Sequence, residues 1–151
     1  MATPLYTTEI LRLATETVNW PRLDAVNVTV ERRAPVCGSS LLLDLTLDEE
    51  GRIEAVGMRP QSCAVGQASA TLFARHAVGK DKDEIGSALA AMKAWLSKES
   101  DVLPDWPAIA ILAPARDYPA RHGAILLPFE AAKAAFDEIQ GDGHHAEGTS
   151  A

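Results

Sequence analysis

The sequence predicts an α+β domain: a three-stranded antiparallel sheet packed by helices. Two observations carry this. Apolar residues alternate with polar ones at period 2 in three consecutive runs between Val26 and Met58, and they recur at helical spacing on both sides of those runs. A third, the turn Asp48-Glu49-Glu50-Gly51, joins the second and third runs closely enough to make them a hairpin.

The elements follow in order. Leu5, Ile10, Leu11, Leu13 and Ala14 cluster at helical spacing, and Asn19-Trp20-Pro21 stops that helix by Val18, because a residue before proline is pushed out of the helical region. Val26, Val28 and Val30 form the first strand. Leu41, Leu43, Leu45 and Leu47 alternate with Leu42, Asp44 and Thr46 in the second, and Arg52 to Met58 returns as the third with Ile53 and Ala55 on one face. From Cys63 to Val78 the period becomes helical, with Val65, Ala68, Ser69, Leu72 and His76 on one stripe and Gly79 closing the helix. Asp81 to Glu84 reads as a capping box ahead of Ile85, Leu89, Met92 and Leu96. Pro104 and Pro107 break the following loop, Ala108 to Leu112 reads as a short helix, and Phe129, Ala132, Phe136 and Ile139 mark a last amphipathic helix. Residues 1–140 are expected to form one domain, and the polar, glycine-rich stretch 141–151 a disordered tail.

Charge and composition exclude several classes. A net charge of −7 argues against a phosphate-backbone partner, so no nucleic acid is expected. No uninterrupted apolar run is long enough to span a bilayer, and Met1-Ala2-Thr3-Pro4 carries no basic, apolar leader, so a soluble cytoplasmic protein is expected. Its two cysteines are then thiols in a reducing compartment, suited to ligation or sulfur chemistry. There is no phosphate loop, no hydrolase triad and no carboxylate pair placed for acid–base work, so no enzyme activity is expected beyond sulfur carriage.

Those two thiols are the candidate site. Cys37 precedes a glycine turn in Val36-Cys37-Gly38-Ser39-Ser40, and Cys63 opens a small-residue helix, settings in which backbone N–H groups and the helix dipole favour thiolate. Spacing alone matches no zinc-finger pattern, and buried packing thiols are the competing reading. His76 lies thirteen residues past Cys63 on one helix, about 20 Å away at 1.5 Å per residue, and so cannot share an ion with it. His144 and His145 fall in the expected tail.

Cys37-Gly38, the hairpin Asp48 to Glu54, Cys63-Ala64, Ala68-Ser69-Ala70 and Gly79-Lys80 together resemble the NifU N-terminal family of iron–sulfur scaffolds, which includes the IscU and SufU types. The resemblance is good from Val26 to Lys80 and extends more weakly over Leu5 to Ala14 and Tyr118 to Phe136. It implies the α+β fold above and a site of three cysteines and one aspartate holding zinc or a nascent [2Fe–2S] cluster. Cys37 and Cys63 match two of the cysteines. Ser39 stands at the aspartate position, where it reads as a turn residue donating a hydrogen bond toward sulfur, and Ala124 at the third cysteine. Shifting the register by one residue puts Gly123 there and matches His122 to a family histidine. The metal or cluster ligands implied are thus Cys37, Cys63 and His122, with iron or an iron–sulfur cluster as cargo and zinc as an alternative. Implied partners are a cysteine desulfurase and recipient apo-proteins. The family's chaperone-binding motif is not evident in Tyr118-Pro119-Ala120-Arg121. A homodimer would bring four thiolates together. A paralogue that binds the desulfurase or regulates assembly without assembling clusters itself, and a persulfide carrier, are the other functions the sequence allows.

Overall fold

Leu41, Leu43 and Leu45 are each 2% exposed or less, and around them the chain builds a single sheet with helices on one side. The computed structural model describes residues 4–36 and 38–145, with side chains described to residue 139. Helix α1 (Thr8–Ala14) is capped by the Thr7 hydroxyl, which accepts from the Ile10 N–H, and it tightens into a 3-10 helix over Thr15–Asn19. Strands β1 (Val28–Arg33), β2 (Ser40–Leu47) and β3 (Ile53–Gln61) follow as an antiparallel meander with β2 in the centre. Helices α2 (Ala64–Ala77) and α3 (Lys82–Leu96) come next. Two 3-10 stretches, Ile109–Asp117 and Pro119–Arg121, then lead into α4 (His122–His145). Among the described residues no helix is long and apolar enough to cross a membrane.

Helix α2 is the hub. Its Ala, Gly and Ser side chains let α1, α4 and β3 approach it closely, so nearly the whole helix is buried instead of one stripe. The buried hydroxyls are satisfied across those contacts: Ser69 donates to the Ile125 carbonyl at 2.6 Å and Thr71 to the Leu13 carbonyl at 2.7 Å. Phe73, Trp106 and Phe129 pack as an aromatic triad with centroids 5.0–5.8 Å apart, and Trp106 donates its indole N–H to the Leu72 carbonyl. The Asp81 capping box forms as expected, with Asp81 accepting from the Glu84 N–H and Glu84 from the Asp81 N–H.

Several expectations need correction. The first strand begins at Val28 and runs on to Arg33, leaving Val26 outside it. Ala55 does not share the buried face of Ile53: the register slips between Thr46 and Leu47, one residue is left over opposite β2, and the inward positions become Ile53, Val56 and Met58. β3 also runs on through Pro60, tolerable because it is an edge strand. The segment read as a short helix at Ala108 to Leu112 is a 3-10 helix from Ile109 to Asp117 that passes through Pro114. Helix α4 begins at His122, well before Phe129, and continues to His145, so residues 141–145 are helical. Glycine weakens a helix by only about 1 kcal/mol and does not forbid it. Residues 146–151 lie outside the described residues.

The outward face of the sheet holds one buried charge. Asp44 is fully buried beneath the strap Trp20–Asp24 and accepts from Arg22 Nε at 2.7 Å, Arg22 Nη2 at 3.2 Å, the Leu23 N–H at 3.0 Å and the Thr29 hydroxyl at 2.6 Å. Burial pushes its carboxyl up, but these four bonds and the Arg22 charge outweigh it and hold the group below the ordinary carboxylate range. The strap also lends the Trp20 carbonyl to the Met58 N–H at 2.9 Å. Gly57 makes room for it: a Cβ there would stand 2.6 Å from the Pro21 carbonyl oxygen and 2.8 Å from the Leu23 nitrogen. Both are backbone atoms, so Gly57→Ala should displace the strap, costing about 2 kcal/mol. The measurement is a lower urea midpoint with faster amide exchange at Met58 and Leu23. An unchanged midpoint would show that the strap yields freely.

Candidate thiol site

Three segments meet at the end of the sheet opposite the Asp48–Gly51 turn: the β1–β2 loop, the β3–α2 junction and the start of α4. The β1–β2 loop is folded back on itself by Ala34 N–H to the Ser39 carbonyl at 2.8 Å and Gly38 N–H to the Ala34 carbonyl at 3.0 Å. Gly38 adopts φ +72°, which glycine takes without strain. Cys37 itself lies outside the described residues. Val36, just before it, is 79% exposed, and Ser39, two residues beyond it, is buried.

Cys63 is the N-cap residue of α2, with extended backbone and no capping hydrogen bond from its side chain. Its thiol is half-buried and free of any disulfide. Ser62, just before it, donates its hydroxyl to the Ser39 hydroxyl at 3.1 Å, and Gln67 donates to the Ser62 carbonyl. The residue next to Cys63 therefore touches the residue two beyond Cys37. Ser62 escaped the sequence analysis; its one signal is its place directly ahead of Cys63 at a helix start.

The third wall is the start of α4. A Cβ on Gly66, in the first turn of α2, would lie 3.0 Å from the Ala124 Cβ and only 1.9 Å from the Ser62 hydroxyl oxygen, so Gly66 is what lets Ala124 and Ser62 close in. Ala124 is 1% exposed. A Cβ on Gly123 would instead face Ala34, at 3.2 Å. The two alternative registers thus point at different walls, Ala124 toward the helix that Cys63 caps and Gly123 toward the root of the loop that carries Cys37.

His122 sits half-buried at the first position of α4, with Nε2 2.9 Å from the Ala115 carbonyl oxygen. A carbonyl only accepts, so Nε2 carries the hydrogen and Nδ1 is the nitrogen left for a ligand. Among the described residues no three His, Cys, Asp or Glu side chains gather with metal-binding geometry. Zinc in a structural site takes four such donors and a [2Fe–2S] cluster normally four protein ligands. With Ser39 bonded to Ser62 and an apolar methyl at 124, the described residues do not supply a closed four-ligand set. His76 is half-buried at the far end of α2. Its pKa is pushed down by burial and by the Arg75 and Lys80 charges. The side chains of His144 and His145 lie outside the described set.

A cavity of about 370 Å³ beside α3, lined by Lys80, Asp83 and Trp106 among others, contains none of these residues.

Comparison with known proteins agrees with this architecture. No curated protein matches the sequence. A crystal structure of a NifU-like protein (N-terminal) from Brucella abortus superposes with a TM-score of 0.83 at 27% identity, covering 91% of this chain and 95% of that one. A second, from Fervidobacterium islandicum, superposes with a TM-score of 0.77 at 21% identity over 87% of this chain and 96% of the other, and shows the fold. The model of the NifU-like N terminal domain matches residues 5–122, most of the chain, and the protein belongs to that family.

Proposed function

We propose that this protein serves iron–sulfur cluster assembly as a scaffold-type receiver, taking up iron and sulfur cargo on the Cys37 and Cys63 thiolates and passing it on. The observation that carries this reading is the convergence, in the family's fold, of Cys63, the loop holding Cys37 and the start of α4 at one end of the sheet. The Fervidobacterium protein of the same fold is assigned to iron–sulfur cluster assembly in the SUF system. A cysteine desulfurase supplies the sulfur in this reading, recipient apo-proteins take the product, and the work is done in the cytoplasm.

The serine pair and the apolar Ala124 favour a second reading, that of a persulfide carrier. The Cys63 thiolate attacks the outer sulfur of the donor's cysteine persulfide. A new S–S bond forms on Cys63, the donor's S–S bond breaks, and the donor cysteine leaves as thiolate, with no net oxidation. This needs one reactive thiol and no four-ligand cage.

Anaerobic incubation with ferrous iron, cysteine and a desulfurase tests both. A visible chromophore that survives desalting, and is lost in Cys37→Ala and in Cys63→Ala, is the expected result. A persulfide on Cys63 by mass spectrometry without chromophore selects the carrier. Neither product would overturn both readings and leave a paralogue that binds the desulfurase without receiving cargo.

A further inference from the structure

The chain is acidic overall, yet its charges are sorted along the sheet. At the β2–β3 turn Asp48, Glu49, Glu50 and Glu54 cluster beside Asp81, Asp83 and Glu84. The cations near them are engaged: Arg52 with Glu84 at 3.2 Å and the Gly79 carbonyl at 2.9 Å, Lys82 with Asp137 at 3.5 Å, and Lys80 over the Trp106 ring. The opposite end, where the thiol site lies, is different. On the outward face of the sheet, Arg33, Ser40 and Gln61 share one row, and Glu31, Leu42 and Arg59 the next. Arg33 is 71% exposed and, among the described residues, pairs with Glu31 at 3.7 Å, a surface pair worth little. Arg59 is exposed, and Leu42, flanked in its row by Arg59 and Glu31 with Arg33 one row on, is half-buried, an apolar side chain on a mostly polar face. The row of Arg33 ends where Ser39 and Ser62 meet.

We propose that this face, with Leu42 beside Arg59 and Arg33 one row nearer the thiol site, docks an acidic protein segment and so brings a partner's reacting group to that site. Guanidinium groups bind carboxylates through paired N–H donors, and an apolar contact beside them supplies the anchor that interface hot spots share. The acidic turn at the far end of the sheet repels the same partner, which helps to orient the encounter. This docking stands whether or not the thiols carry a cluster, since it uses none of their chemistry.

The test is fluorescence anisotropy of a labelled Glu-Glu-Leu repeat peptide titrated with the full chain. Binding is expected despite the protein's negative charge. It should weaken at least fivefold from low to moderate salt, fall roughly tenfold in Arg33→Glu/Arg59→Glu, and change less than about twofold in Lys82→Glu at the other end. Leu42→Ala should weaken it about threefold without altering the salt dependence. Arg33→Gln/Arg59→Gln, with a melting curve beside each variant, provides the same comparison if charge reversal disturbs folding. Absence of binding, equal loss in the two charge-reversal variants, or tighter binding of a single-stranded oligonucleotide or an anionic vesicle would overturn the proposal.

Discussion

Asp44→Ala is expected to destabilise the fold by about 3 kcal/mol, which for a chain of this size lowers the melting temperature by roughly 10 °C. The carboxylate satisfies the Leu23 N–H and the Thr29 hydroxyl and ties down Arg22. Removing it leaves those donors beneath the strap. The same bonds set a pH dependence. Because the folded-state pKa of Asp44 lies below its unfolded value of about 4, its contribution is fully present above that value and is lost as pH falls through the folded one. Urea titrations across the acid range should therefore show the parent losing stability steeply, with a flatter acid limb in Asp44→Asn. A parallel limb would assign the acid sensitivity to other carboxylates.

Ser39→Asp/Ala124→Cys is expected to bind zinc at least tenfold more tightly than the parent and to retain a reconstituted cluster longer. The geometry sharpens this. Position 124 faces the first turn of the helix that Cys63 caps, and position 39 already touches Ser62. Gly123→Cys, directed at Ala34, should gain less. Competition against a chromophoric chelator measures the difference. Equal affinity of parent and double variant would mean that these positions do not face a common ion.

The sheet was legible because leucines at 41, 43 and 45 repeat at the strand period and all point inward. The face of Ala55 was not, since a bulge changes parity without leaving a mark in composition. Asp44 read as an outward polar residue. What buries it is the strap Trp20–Asp24, which has no periodicity and gains its place only through tertiary contacts with Gly57 and Met58. The 3-10 stretch at Ile109–Asp117 was obscured by Pro114, and the start of α4 by Pro128, which removes one N–H but leaves the helix continuous. At the site, Cys63 at a helix start could be read directly from the change in period. The closeness of Ala124 to Gly66 could not, because it depends on two helices distant in sequence, and position 124 drew notice only through the family resemblance.

In the proposed function Cys37 and Cys63 act as one site. Anaerobic titration with cadmium, followed by thiolate-to-metal absorbance, tests it most directly: the parent should bind with a two-thiolate signal, and Cys37→Ala and Cys63→Ala should each lose most of it, because binding is shared and not additive. Two single variants that each keep half of the parent signal at undiminished affinity would show two separate thiols and contradict the claim.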